Sequence, residues 1–306
     1  MLIKAGYEIA FDCAAETSLL LMVHVRPERR GDLRSPERFK VSPEVEYRTY
    51  ADGFGNICTR LTAPRGRLSL SNSFMIFDSG LPERNPVWAN ALPVENIPDD
   101  VLVYLLASRY CDTEKLLNIA WSLFGSLAPG WRRVKAILDY THNRIRFGYA
   151  YARSDRTAWE AHQEQVGVCR DFAHLAVAFC RCMNIPARYC TGYLGDIGVP
   201  IDPNPMDFSA WFEVFLVGAW HQMDARRNHP RIGRILMAVG RDATDTAISV
   251  AFGIARLVQF KVITEELTDD RHANENAPIR SHIDNPVRRA LPRSQSLARH
   301  TAMTGT

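Results

Sequence analysis

The chain has 306 residues, 46% hydrophobic and 23% charged, with a formal net charge of +3. That is ordinary globular composition with room for one large domain or two ordinary ones, and so small a charge excludes a general case for nucleic-acid binding. No stretch approaches the roughly 20 apolar residues of a transmembrane helix. The N-terminus, Met1 to Glu8, lacks the apolar run of a signal peptide, so a cytoplasmic protein that does not enter membranes is expected.

From residue 1 to about 95 short alternating runs are separated by turn residues, and strands are expected over 7–11, 18–25, 45–50, 56–63 and 68–77. Antiparallel sheet is the simplest arrangement for them. Pro82, Pro86, Pro93 and Pro98 then mark an extended connection, which places a domain boundary near residue 95. Beyond it the apolar period changes to that of a helix. Asp99 and Asp100 open a first helix carrying Val101, Leu102, Leu105 and Leu106; a second is expected over 113–127 and a third over 131–145, the last two as an antiparallel pair. An apolar stripe from Phe172 to Met183 marks another helix, stopped by Asn184-Ile185-Pro186. A strand over 187–193, a hairpin over 207–216 and 219–225 around Val217-Gly218, and a strand over 257–263 follow. The whole reads as an α+β chain: an N-terminal antiparallel β domain over 1–95, a core over 96–267, and a polar, basic, disordered tail over 268–306. A solvated arm is the plain reading of that tail, contact with nucleic acid or anionic lipid the other.

Seven cysteines lie at 13, 58, 111, 169, 180, 182 and 190, with neither a disulfide framework nor paired zinc knuckles. Cys180, Cys182 and Cys190 sit in apolar patterning and read as packing residues, with thiol redox or metal chemistry as the minor alternative. Cys169 differs. In Gly167-Val168-Cys169-Arg170-Asp171-Phe172 a glycine turn delivers it to a helix start, where unpaired N–H groups and the helix dipole favour thiolate. Arg170 beside it works in the same direction. The alternative is a buried structural cysteine.

Several pieces in order resemble the bacterial transglutaminase-like family: the helices, Gly-Val-Cys-Arg-Asp-Phe, Ile185-Pro186-Ala187-Arg188-Tyr189, Gly192-Tyr193-Leu194, Asp207-Phe208-Ser209-Ala210-Trp211-Phe212-Glu213 and Met223-Asp224-Ala225-Arg226. The resemblance covers roughly residues 100 to 265, and the N-terminal β region is similar to one found before such cores. It implies helices packed on an antiparallel sheet and a papain-like cysteine hydrolase or acyl transferase acting on a peptide or protein amide, with no metal or organic cofactor. By position it implies Cys169 as nucleophile and Asp224 as the acid that orients a histidine, while the histidine's own position holds Ser209. A serine hydroxyl does not titrate near neutrality, so it cannot be the general base. Such proton transfer contributes about 10²- to 10⁴-fold. Either another group moves the proton, or the chain keeps the fold and groove as a binding or scaffolding protein.

With Val217-Gly218 as a two-residue turn, Leu216 faces Ala219 and Val214 faces His221, and counting back sets Ser209 opposite Arg226 and on the face of Asp224. His221 then points to the other face. His174 lies about 140° around the helix from Cys169 and reads as a core residue. His229 is the best spare base. Asp171 and Asp207 read as caps or surface groups. Trp159, Trp211 and Trp220 line an acyl groove or fill the core, and Arg188, Arg226 and Arg227 bind a substrate carboxylate or are solvated or salt-bridged.

Overall fold

The computed structural model describes residues 1–83, 85–204 and 206–267, so the expected tail lies outside the described residues. Six strands come first: β1 (Leu2–Cys13), β2 (Thr17–Leu21), β3 (Lys40–Ser42), β4 (Tyr47–Ala51), β5 (Ile57–Ala63) and β6 (Gly66–Phe77). Then come α1 (Asp99–Leu102), α2 (Thr113–Phe124), α3 (Trp131–Arg144), β7 (Arg146–Phe147), α4 (Ala158–Glu164), β8 (Val166–Gly167) and α5 (Cys169–Cys182). The last strands are β9 (Ala187–Leu194), β10 (Ser209–Leu216), β11 (Ala219–Met223), β12 (Arg234–Gly240), β13 (Ser249–Phe252) and β14 (Ala255–Leu267).

All five expected N-terminal strands form, and they make two antiparallel sheets of order β14-β1-β6-β3 and β13-β2-β5-β4. Residues 249–267, assigned from the sequence to the core, therefore return to the N-terminal sheets. The reason is length and pattern: β14 is 13 residues long and runs antiparallel along the whole of β1, from Leu2 opposite Leu267 to Cys13 opposite Ala255. Their shared core holds Ile3, Tyr7, Leu68 and Leu70 together with Tyr193, Ile235 and Met237 of the third sheet, so the β unit and the helical unit are welded along β9 and β12.

The third sheet has the order β11-β10-β9-β12. Its hairpin is in the expected register, with Leu216 opposite Ala219 and Val214 opposite His221, because Val217 and Gly218 both take positive φ in the turn, 50° and 78°. Against one face of this sheet lies α5, which packs in one cluster with α2, α3 and α4 through Leu116, Ile137, Ala161, Phe179, Phe212 and Val214. Every residue of α5 from Asp171 to Cys182 is buried, so this is a central helix covered all round. Each fully buried Leu or Phe on it contributes roughly 1.5–3 kcal/mol. Its polar residues are paired: Arg181 donates to the carbonyls of Ala187 at 2.9 Å and Leu106 at 3.0 Å.

The helix expected from Asp99 is shorter than the pattern suggests, four α-helical residues followed by a 3₁₀ turn, Val103–Leu105. Conversely, α4 was not expected as a helix, although Thr157 and Glu160 form a complete capping box at its start. No helix is long and apolar enough to cross a membrane.

Candidate functional site

The turn into α5 is built around a buried carboxylate. Asp171 Oδ2 accepts the backbone N–H of Val168 at 2.8 Å and a guanidinium N–H of Arg156 at 3.0 Å, which fixes the first turn and with it the direction of Cys169. A Cβ on Gly167 would stand 2.6 Å from that same oxygen, so glycine there leaves room for the carboxylate. Gly167, Cys169 and Asp171 thus act as one unit, in which Asp171 is the cap expected of it. Arg170 also belongs to this unit: its guanidinium stands 3.8 Å from Asp171 Oδ1, donates to the carbonyls of Arg153 and Ser154 and lies over the Tyr110 ring. The cation that acts most on the Cys169 thiol is Arg226 rather than Arg170.

Cys169 is half-buried and packs against the cluster of Ala173, Tyr189 and Ala210. Burial pushes its thiol up; the Arg226 charge and the backbone N–H of Ala210 pull it down, while Asp207 and Asp171 push it up again. The net direction is upward, which overturns the low value expected from the helix start. Desolvation by the sheet outweighs the dipole and the one cation. Cys169 should alkylate with iodoacetamide faster than the other six cysteines, all buried, but with a pH midpoint above that of a free thiol. A midpoint at or below the free-cysteine value contradicts this. Arg226 itself is stacked on Phe147, 3.4 Å from guanidinium carbon to ring centroid, and Tyr149 stands within the field of both Arg226 and Cys169, with burial pushing its hydroxyl up.

Ser209 begins β10, one residue before the Ala210 N–H that is directed at the sulfur, and pairs with Gly192 of β9. Gly192 must lack a side chain, since a Cβ there would collide with the carbonyl of Ile235 on β12. The expected pairing of Ser209 with Arg226 does not form. The ladder between β10 and β11 stops at Phe212 opposite Met223, and the chain then turns through Asp224, whose carbonyl accepts from Asn228 N–H at 2.7 Å. The Asp224 carboxylate is buried and doubly occupied: Oδ2 accepts from Arg234 at 2.6 Å and Oδ1 from the Arg227 N–H at 3.0 Å. Arg234 comes from β12, a strand not expected from the sequence, and lies over the Trp211 ring at 5.4 Å.

With this geometry in hand, the comparisons are specific. Residues 122–225 match the transglutaminase-like superfamily core, a span that contains Cys169, Ser209 and Asp224. An uncharacterized protein of Mycobacterium leprae (strain TN) is 35% identical over 218 residues, covering 69% of this chain and 77% of that one. The crystal structure of a candidate cysteine protease from Cytophaga hutchinsonii is similar with 29% identity and a TM-score of 0.76, over 93% of this chain and 94% of that one. The chain belongs to the transglutaminase-like superfamily.

For a transglutaminase-like chain the whereabouts of the histidines matter, and each of the six in the described residues is engaged elsewhere. His24 bonds Thr59, His142 the carbonyl of Arg226, His162 the Tyr140 hydroxyl and His221 the carbonyl of Leu216. His229, the expected spare base, is exposed and donates to the carbonyl of Arg227 at 2.7 Å. His174 is a core residue, as read from the sequence: it stacks on Tyr110 and its Nε2 accepts the Ala243 N–H at 3.1 Å. Accepting there requires neutral imidazole, and burial together with the Arg170 charge pushes His174 below its ordinary value near 6.5. Because the folded value is the lower one, its contribution is complete above about pH 6.5 and is lost as pH falls below that, by about 1.4 kcal/mol per pH unit for the one proton. Urea unfolding at pH 7.5 and 5.5 should show this loss, and His174→Gln should flatten it.

The remaining expected residues fall on the packing side. Trp159 lies against the main helical core, Trp211 is 1% exposed, and Trp220 packs on Phe215 beneath Arg188, which is itself paired with Glu213 at 2.6 Å. Arg227 is half-buried, and burial beside Arg226 pushes it down. Cys180, Cys182 and Cys190 are buried; burial holds the Cys182 thiol up at about 12. Among the described residues no group of three or more His, Cys, Asp or Glu is placed to hold a metal ion. Tyr149 and Arg234 are site residues that the sequence did not reveal, while Arg226, read as a carboxylate binder or a solvated group, is the cation that acts on the Cys169 sulfur. An arginine directly after the Asp224 turn was a readable signal, whereas nothing local points to Arg234 as the partner of Asp224.

Proposed function

We propose that Cys169 is the nucleophile of a thiol-dependent hydrolase or acyl transferase acting on peptide or amide carbonyls, with Ser209 in the family's histidine position and Asp224 as the acid behind it. The observation that supports this is the setting of the sulfur: helix-borne, half-exposed, packed on Tyr189 and Ala210, with the Ala210 N–H bonded to it and within the field of the Arg226 charge. The same N–H, and a Tyr149 hydroxyl that keeps its proton, can stabilise the oxyanion formed when a carbonyl is attacked. All seven cysteines are free thiols, which accords with a reducing compartment, and we place the protein in the cytoplasm. The test is a panel of peptide, amide and ester substrates with the wild type and Cys169→Ala. Turnover should be measurable, slow, rising with pH above neutrality, and abolished by the substitution; turnover that survives Cys169→Ala rejects the assignment.

The occupied state of Asp224 supports a second reading, a binding or scaffolding protein that has kept the fold without turnover. It predicts no turnover on any of the panel and ligand binding unaffected by Cys169→Ala.

A further inference from the structure

An amide is cleaved only if its leaving amine is given a proton, and the site is poorly equipped to give one. Ser209 occupies the relay position, the six described histidines are bonded elsewhere, and both oxygens of Asp224 are taken by Arg234 and the Arg227 N–H. What surrounds the sulfur is of a different kind. Arg226 is a cation over the Phe147 ring, the Ala210 N–H is a donor and Tyr149 is a phenol, set against the carboxylates of Asp207 and Asp171, which act in the opposite sense. The cation and the two donors stabilise negative charge on sulfur and on a carbonyl oxygen. Neither a guanidinium nor a backbone N–H shuttles a proton at neutral pH, and burial makes the Tyr149 phenol hold its proton more tightly than usual. A leaving group that departs as an anion is matched to this set. A thiolate does so, since its conjugate acid has a pKa of about 8.5, whereas an amine must first be protonated.

Resting on Cys169 as nucleophile, we infer that the site takes acyl groups from thioesters in preference to amides, with Arg226 holding the negative charge of the attacking sulfur. Cys169 loses its proton to solvent and attacks the thioester carbonyl, forming a new carbon–sulfur bond. The tetrahedral oxyanion collapses, the carbon–sulfur bond to the donor thiol breaks, and that thiolate leaves with its electron pair and is protonated by solvent. Donor thioester and Cys169 thiol become acyl-Cys169 and donor thiol. No oxidant or further reactant is needed, and water or an amine then accepts the acyl group. Arg226 stands directly after Asp224 and Ala225, so the turn that leads out of β11 delivers the cation to the nucleophile.

The experiment uses the full chain at pH 8 with an acyl-N-acetylcysteamine thioester and, separately, the simple alkyl amide of the same acyl group. Acylation of Cys169 is followed by peptide mass mapping and donor thiol by its release. The thioester should acylate Cys169 at least about tenfold faster than it acylates free N-acetylcysteine, the amide should give no adduct on the same timescale, and Arg226→Leu should slow the thioester reaction about tenfold while Arg226→Lys retains most of it. Equal acylation by thioester and amide overturns the inference, as does an Arg226→Leu variant that reacts at the wild-type rate. Absence of an adduct while iodoacetamide still alkylates Cys169 overturns the inference and leaves the nucleophile in place. Failure of iodoacetamide as well removes both.

Discussion

Arg234→Met is expected to destabilise the fold by about 3–5 kcal/mol, the cost of leaving a buried carboxylate without its cation. The side chains of Asp224 and Arg234 are each 6% exposed and meet at 2.6 Å, so Asp224 cannot turn to solvent when its partner goes. The Arg227 N–H remains on Oδ1, but one backbone donor does not replace a guanidinium. The loss is compounded at Trp211, whose ring would exchange a stacked cation for a thioether. A second substitution separates these contributions: Asp224→Asn combined with Arg234→Met removes the charge as well and should recover more than half of the deficit, because neutral replacement of a buried pair is far cheaper than breaking it. Guanidinium unfolding of wild type, single and double variants reads the result. A deficit below about 1 kcal/mol in the single variant would show that Asp224 does not depend on Arg234.

The pair also marks the limit of what was legible in the sequence. Features set by neighbours a few residues apart could be read: the register of the hairpin follows from Val217-Gly218, the course of α5 from its apolar stripe and Asn184-Ile185-Pro186, and the strands from their alternation. Features set by distant partners could not. The alternation in 255–267 identifies a strand but not that it lies along β1, more than 240 residues earlier, and nothing near Arg234 says that its guanidinium will meet Asp224 across the sheet. The thiol of Cys169 shows the same division in its energetics. The dipole at a helix start is a local effect and pulls the value down, but the desolvation that outweighs it comes from Tyr189 and Ala210 on strands β9 and β10. Ser209 is a different case: its assignment to the family's histidine position rests on the local motif from Asp207 to Glu213 and is a proposal.

Ser209→His alone is expected to leave amide turnover unchanged, while Ser209→His combined with Arg234→Gln should raise it, within the range of about 10²- to 10⁴-fold that a positioned acid–base contributes. An imidazole at 209 needs two partners, the sulfur on one side and a carboxylate on the other to hold its tautomer. The first is at hand, since residue 210 already presents its N–H to Cys169. The second is not, since both oxygens of Asp224 are taken, Oδ2 by Arg234 at 2.6 Å and Oδ1 by the Arg227 N–H, and a guanidinium beside the new imidazole would also oppose its protonation. Gln at 234 removes the charge and keeps a donor, and the imidazole itself then restores a cation to the buried carboxylate. In this view Ser209 and Arg234 stand against the relay together, from β10 and β12. The readout is the pH profile of amide hydrolysis alongside its rate. The double variant should show a new acid limb near the pKa of histidine, about 6.5, that neither single variant has. A single Ser209→His variant as active as the double would mean that Arg234 is no obstacle to the relay. A folded double variant with no gain would mean that residue 209 cannot bring an imidazole between Cys169 and Asp224.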